Sequence, residues 1–330
     1  GDEQLEARRA VILAAGSPPA MPPIEGLDSI DGAWTNREAT TAKSIPDRLV
    51  IMGGGVVGVE MAQAFQTLGS QVTLIEGEHR LLPREEEFAC VQVTDALESL
   101  GVDIRTGQRA ERVEQAGDGT VTVTTSDGGR AVGDVLLVAL GRTPATKDLG
   151  LETVGLEPGA TIKVDGHMRV PGHPWLYAIG DVNGRALLTH MGKYQARLAA
   201  DHLLGHDHVI AHGADGPLAP RVIFTDPQVA AVGHTTETAE RSGLIVDVYE
   251  TPTSGNAGGS FSGREAPGTT RWIVDRERRI VVGCTITGSG VADFLHAATI
   301  AIVGEVPLER LRHAVPAFPT RSEVWLQLGH

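Results

Sequence analysis

Residues 49–60 read Leu-Val-Ile-Met-Gly-Gly-Gly-Val-Val-Gly-Val-Glu, an apolar run that enters a glycine-rich turn and leaves as a helix. Gly53, Gly55 and Gly58 stand at the three glycine positions of GxGxxG. In such a turn the first glycine permits the bend, the second lets a pyrophosphate approach the backbone, and the third lets helix pack on strand. The helix amino terminus, with Val57 as a further candidate contact, offers free N–H groups and the positive end of its dipole to phosphate oxygens.

The chain has 41 glycines, so the spacing alone decides little and its surroundings must carry the assignment. Leu49 to Met52 are four consecutive apolar residues, the pattern of a strand buried on both faces. Beyond the turn, Val57, Met61, Ala64, Phe65 and Leu68 fall at helical spacing, and Gly69 supplies a stop. A second apolar strand, Val72 to Ile75, ends in Glu76 and completes a βαβ unit. A carboxylate there can accept hydrogen bonds from the adenosine ribose hydroxyls and would repel a 2′-phosphate, so NAD is expected ahead of NADP. Arg80 lies close enough in sequence to soften that preference. The plain alternative is a glycine-rich turn in an ordinary α/β domain, with Glu76 a solvated strand end.

At 330 residues the chain has room for two or three domains with sizeable cores. Its net charge of −14 is spread along the sequence, which argues against nucleic acid and anionic membrane surfaces as partners. No apolar run approaches the roughly 20 residues of a membrane span. Cys90 and Cys284 lie far apart with no CxxC or CxxxxC, which suits a reducing cytoplasm. Each reads as a small buried apolar residue rather than a redox group or metal ligand. His202, His206 and His208 near Gly205 read as solvated loop positions, so no metal site is expected. The amino terminus is no secretory signal. It opens with charged residues and moves at once into Ala10 to Ser17, read as a buried strand ending at a glycine.

Prolines and composition divide the rest. Residues 1–45 form a first segment and its proline-rich exit, 46–142 the nucleotide-binding domain, 143–217 a return segment, and 218–330 a separate α+β domain. Within 46–142, residues Glu85 to Leu100 look helical, and Val121 to Thr125 with Val135 to Leu140 imply a short β-meander. In the last domain, strands are expected near Arg221 to Thr225, Gln228 to Val232, Ile245 to Glu250, Thr270 to Val274 and Ile280 to Thr285. Helices are expected near Thr236 to Ser242 and Gly290 to Ile302, while Trp325 and Leu326 would anchor the tail on an apolar surface.

Taken in order, Ala15-Gly16-Ser17, Gly53 to Glu60, Gly141 to Pro144, Tyr177 to Asp181 and Phe224 to Pro227 resemble the motifs of the pyridine nucleotide-disulfide oxidoreductases, two-dinucleotide flavoproteins that include dihydrolipoamide dehydrogenase. The resemblance implies an α/β fold: a Rossmann-like NAD-binding domain, part of a Rossmann-like FAD-binding domain, and a C-terminal α+β interface domain that dimerises. It implies FAD and NAD as cofactors. Gly53, Gly55, Val57, Gly58, Glu60, Glu76 and Gly141 would serve the nicotinamide dinucleotide, with Glu60 near the nicotinamide edge or simply stabilised at the helix amino terminus. Gly16, Gly180, Asp181, Leu188, Thr189 and His190 would serve the flavin, with Asp181 on the ribityl hydroxyls.

Two departures from the family pattern shape the expected chemistry. The family's first GxGxxG and its CxxxxC have no counterpart here, so the chain is expected to match about the later two-thirds of a family member, and tight FAD binding by it alone is not expected. The family's His-Pro-Thr-x-Ser-Glu is Phe318-Pro319-Thr320-Arg321-Ser322-Glu323, and a phenyl ring cannot take up the proton that an imidazole would. His313 is too far upstream to reproduce that geometry, and no catalytic residue is assigned. The expectation is therefore an FAD-dependent NAD(P)H oxidoreductase delivering electrons to a diffusible acceptor such as a quinone. One alternative is a dihydrolipoamide dehydrogenase-type disulfide reductase with its CxxxxC in a preceding segment. Another is a non-catalytic dimeric module that binds NAD(H).

Overall fold

Leu49, Val50, Ile51 and Met52 are each at most 1 % exposed, which requires the strand they form to be covered on both faces. The computed structural model describes residues 5–263 and 266–328 and shows what covers it. In chain order the first half forms β1 (Val11–Leu13), α1 (Asn36–Thr40), β2 (Arg48–Met52), α2 (Val56–Thr67), β3 (Gln71–Glu76), α3 (Glu87–Ser99), β4 (Asp103–Thr106), β5 (Ala110–Gln115), β6 (Val121–Thr125), β7 (Arg130–Gly133) and β8 (Val135–Val138). The second half adds β9 (Leu176–Ala178), α4 (Thr189–Leu203), β10 (Arg221–Ile223), β11 (Gln228–Gly233), α5 (Thr236–Arg241), β12 (Val246–Pro252), β13 (Thr269–Asp275), β14 (Ile280–Gly288), α6 (Leu295–Val303) and α7 (Leu308–Leu311).

These elements group into two units. One comprises the described residues of Gly1–Pro18 with Arg142–Arg221, the other Pro19–Gly141 with the described residues of Val222–His330. In the larger unit a parallel sheet has the order β4-β3-β2-β8, with Met52 opposite both Ile75 and Val138. Alternate residues of β2 face two different cores. Leu49 and Ile51 pack with Val59, Ala62 and Phe65 of α2 and with Val93 and Leu97 of α3. Val50 and Met52 pack with Val113, Val121, Val123 and Ala131 of the antiparallel sheet β5-β6-β7. A strand clothed by helices on one side and a sheet on the other has no polar phase, and its sequence shows none.

The helix face matches the expected one only in part. Of the stripe read from Val57, Met61, Ala64, Phe65 and Leu68, Phe65 is buried and Met61 packs against the core, but Leu68 is 60 % exposed and the most buried residues are Gly58, Val59, Ala62 and Phe65. The cause is Gly58: it must touch the strand side of the turn, and residues in phase with it follow it inward.

In the same unit the C-terminal residues build a third sheet, β10-β11-β14-β13-β12, in which β14 pairs antiparallel with β11 and β13. All nine residues of β14 are buried, because it is the central strand and α6 lies against it. Trp325 meets Trp272 of β13 at 5.8 Å between ring centroids, so the tail is anchored on its own sheet. Glu86, just before α3, has a side chain only 5 % exposed and accepts from the backbone N–H and Oγ1 of Thr236 and from Nη1 of Arg271. Arg271 also pairs with Glu250 and lies 4.7 Å over the Phe88 ring.

In the smaller unit β1 pairs in parallel with β9, Ile12 opposite Tyr177. The buried strand expected from Ala10 to Ser17 is reduced to three residues, and Ile12 is 42 % exposed. A two-stranded sheet has an open flank, so only β9 is buried throughout.

Replacing Glu86 with Ala removes three hydrogen bonds and leaves the Arg271 guanidinium half-paired. A loss of about 2 kcal/mol is expected in chemical denaturation followed through the larger unit's tryptophans; an unchanged midpoint would show the contact to be ornamental.

Candidate functional site

At the end of β2 the chain has no room for side chains. A β-carbon on Gly58 would lie 1.8 Å from the Gly53 carbonyl oxygen, and one on Gly53, whose φ is +108°, would lie 2.4 Å from that of Ala139. Gly55 is different: nothing lies within 4 Å of its missing β-carbon. It is the residue that caps α2, and no side chain caps the helix's first N–H groups. The turn is therefore tight toward the protein and open at its outer rim, the shape a pyrophosphate needs. Val57 lies in the first helical turn, and Gly141, at φ +113°, has open space at its missing β-carbon.

Glu76 ends β3 beside this turn. Its Oε2 accepts from the Gly54 N–H at 2.5 Å and its Oε1 from the Glu78 N–H at 2.7 Å. Each oxygen keeps a lone pair for a hydroxyl. Arg80, the residue expected to soften the choice of cofactor, is turned to the Pro83 carbonyl at 3.2 Å. A cation that does stand beside Gly77, the residue after Glu76, is Arg109, which no sequence motif marked. A β-carbon on Gly77 would come within 3.0 Å of its Cγ and 3.4 Å of its Nε. Only the emptiness of Gly77 next to Glu76 could have hinted at it.

The hydrogen bond of Glu60 goes to the chain beyond β10 rather than to the start of α2. Its Oε1 accepts from the Phe224 N–H at 2.8 Å, and Gln63, also on α2, exchanges two hydrogen bonds with the Asp226 backbone. Burial raises the Glu60 pKa above the ordinary glutamate value, with the Phe224 N–H opposing it.

The remaining predicted residues lie in the smaller unit. Asp181 Oδ2 accepts from Ser17 Oγ at 2.5 Å, and the Arg142 guanidinium is 3.7 Å away. Arg142 also donates to Ser17 Oγ and to the Ser17 carbonyl. Gly16 and Gly180 both have positive φ with empty space where a β-carbon would be. The Gly180 N–H is held by Gln195 at 2.7 Å, and Leu188 and Thr189 begin α4. His190 Nε2–H donates to the Pro220 carbonyl at 2.7 Å. This set suits a polyhydroxyl chain at Asp181, whose Oδ1 has no partner among the described residues.

Three further expectations change or gain detail. Phe318 is 77 % exposed, and Glu323 accepts from the Gly258 N–H at 3.2 Å. His202 is no solvated loop residue: it lies in α4, its Nδ1 shares a hydrogen bond with the Tyr177 hydroxyl at 2.7 Å, and its ring stacks on His167 at 4.3 Å. The loop reading failed because Gly205 ends the helix only after His202 has turned inward. Cys90 and Cys284 are free and buried, and burial pushes the Cys90 thiol up to about 11. Among the described residues no three His, Cys, Asp or Glu side chains gather as a metal site, and no helix is long and apolar enough to cross a membrane.

A strand, a glycine turn, an uncapped helix and a carboxylate at the next strand's end constitute a dinucleotide-binding unit. The family model for "Pyridine nucleotide-disulphide oxidoreductase" matches residues 1–199, and the family's dimerisation domain matches residues 219–328. The chain belongs to the pyridine nucleotide-disulphide oxidoreductases, which are NAD(P)H- and FAD-dependent oxidoreductases. It is 33 % identical over 328 residues to a dihydrolipoyl dehydrogenase of Bacillus subtilis, covering 98 % of this chain and 70 % of that protein. It is 31 % identical to a mercuric reductase of Lysinibacillus sphaericus, covering 97 % and 58 %. Among solved structures, the HOCl-induced flavoprotein disulfide reductase RclA of Escherichia coli, as its Cu(II) complex, superposes with a TM-score of 0.85 at 25 % identity, covering 99 % of this chain and 75 % of that one. LpdA of Mycobacterium tuberculosis superposes with a TM-score of 0.85 at 26 % identity, covering 96 % and 68 %.

Two glycine variants separate fold from binding. Gly58→Ala should destabilise the larger unit by about 2–3 kcal/mol, since helix and strand must part. Gly55→Ala, at φ −76°, should melt like the parent yet weaken NADH about tenfold or more in a fluorescence titration, the methyl standing where phosphate would. For Glu60, a raised folded pKa means that ionisation costs stability. Glu60→Gln keeps an oxygen for the Phe224 N–H, so it should melt above the parent at neutral pH. That gain should shrink to nothing as pH falls through the raised pKa to the ordinary glutamate value.

Proposed function

We propose that this chain supplies the nicotinamide-binding, partial flavin-binding and dimerisation parts of an NADH-dependent flavoprotein of the disulfide reductase type. The observation that carries this reading is the Glu76 carboxylate, fixed by two backbone N–H groups beside an open glycine turn. The turn and the first N–H groups of α2, Val57 among them, would receive the pyrophosphate, while Glu76 would accept the two ribose hydroxyls and repel a 2′-phosphate. Gly141 would border the same dinucleotide, and Glu60 would stand toward its nicotinamide end. Gly16, Gly180, Asp181 and the Leu188–Thr189–His190 start of α4 would hold the flavin, with Arg142 and Ser17 keeping the Asp181 carboxylate aimed. When bound, the flavin supplies the electron relay between nicotinamide and acceptor.

The same reading divides the chain at 1–45, 46–142, 143–217 and 218–330 and pairs two copies through the last segment, whose match to a dimerisation domain supports it. Two free, buried thiols are consistent with a reducing, cytoplasmic setting.

A disulfide acceptor is favoured by the relatives named dihydrolipoyl dehydrogenase and by the neighbour titled a disulfide reductase. One observation favours a second reading, a diffusible acceptor such as a quinone: Phe318 cannot exchange a proton with a thiol. Steady-state NADH oxidation by the flavin-loaded protein decides between them. Lipoamide or another disulfide should be reduced faster than a quinone, and the reverse order moves the assignment to the second reading. Phe318→His should raise the disulfide rate near pH 7 by about tenfold or more while leaving quinone reduction unchanged; equal rates would remove residue 318 from the sulfur chemistry.

A further inference from the structure

We propose that Arg109 grips the adenine ring of the bound dinucleotide, its guanidinium stacked on the purine face. The inference rests on the reading of the Gly53–Gly58 turn as an NADH site and adds a residue to it.

The carboxyl ends of β3 and β4 lie side by side, Glu76 opposite Thr106. The next residue on each is a glycine, and the two segments are tied together by the Gly107 N–H on the Glu78 carbonyl at 2.8 Å and the Gln108 N–H on the Glu76 carbonyl at 3.1 Å. Each glycine lies beside a side chain from the opposite segment. Arg109 crosses Gly77, its Cγ, Nε and Cδ lying 3.0, 3.4 and 3.7 Å from where a β-carbon would be, and His79 Nδ1 lies 3.7 Å from the same point on Gly107. The base of the arm is pinned: the Arg109 N–H donates to Ser126 Oγ at 3.1 Å, and the Ser126 N–H donates to the Arg109 carbonyl at 2.8 Å.

Three arginines stand on this rim and two are committed. Arg80 is held by the Pro83 carbonyl, and Arg105 by Asp103 and the Arg130 carbonyl. The exposed Arg109 guanidinium has no hydrogen bond or ion pair among the described residues. The adenine is bonded to the ribose that Glu76 would hold, and the pair of glycines beside Glu76 leaves room there for a flat ring. A planar, weakly hydrated cation is suited to a purine face. The Glu76 carboxylate makes the same place unfavourable for a 2′-phosphate, so Arg109 serves the ring rather than a phosphate.

The test titrates the protein with NADH, ADP-ribose, NADPH and reduced nicotinamide mononucleotide, following fluorescence or heat. Arg109→Met, which keeps the stem and loses the planar cation, should weaken NADH and ADP-ribose about tenfold and leave the mononucleotide unchanged. Gly77→Ala, which keeps the arginine and pushes the arm aside, should act in the same direction. Wild-type affinity for NADH in both variants overturns the role of Arg109 while sparing the site. A loss confined to NADPH overturns it in favour of a 2′-phosphate contact. Failure of the parent protein to bind NADH or ADP-ribose overturns the site reading and this inference with it.

Discussion

The contact between Gly58 and the Gly53 carbonyl governs the larger unit. Not one carbon atom fits between them, so α2 can lie directly on the sheet, and its direction is fixed where it starts. Val59, Ala62 and Phe65 are then carried onto Leu49, Ile51 and Leu74, each burial contributing on the order of 1–3 kcal/mol. The same approach leaves the helix start uncapped and facing outward, and it brings Glu60 and Gln63 to the backbone at Phe224 and Asp226. Packing, the open helix start and the tie to the C-terminal sheet all descend from one absent side chain.

Charge is treated differently at the two carboxylates that matter most. Glu76 is oriented by backbone N–H groups and keeps acceptor capacity, which suits it to neutral hydroxyls. Asp181 has a hydroxyl and a guanidinium beside it, so its charge is balanced within the protein before any ligand arrives. In both cases the aim of the carboxylate is set by groups that are themselves fixed in turns, a form of preorganisation that lowers the ordering cost of binding.

Much of this was readable in the residues because strands with both faces covered announce themselves. Leu49 to Met52 and Val121 to Thr125 are strands where the patterns put them, and β14 runs past the expected Thr285 to Gly288 because Ile286 and Thr287 are also enclosed. The inner face of α2 is legible only in part, Phe65 lying inside as expected and Leu68 outside, because apolar residues stand on two faces of that helix and the position of Gly58 decides which is innermost. Arg109 was invisible because its place depends on pairing between β3 and β4 and on the empty α-carbon of Gly77, neither of which has a periodic signature. His202 was missed for a similar reason, since its partner Tyr177 is on a strand 25 residues away. Patterning reports what a residue's own element requires; it is silent about the side chain that arrives from elsewhere.

The central strand of the C-terminal sheet carries one more consequence. Cys284 sits between Val232 and Trp272 in register, wholly enclosed, with its thiol pushed well above the usual range by burial. An alkylating reagent meets that sulfur only when the sheet comes apart, whereas Cys90, equally hidden beside the Leu82 carbonyl, answers to openings around α3. The protein thus contains two clocks in different places, and the pace at which each is marked would time the breathing around α3 against the opening of the C-terminal sheet.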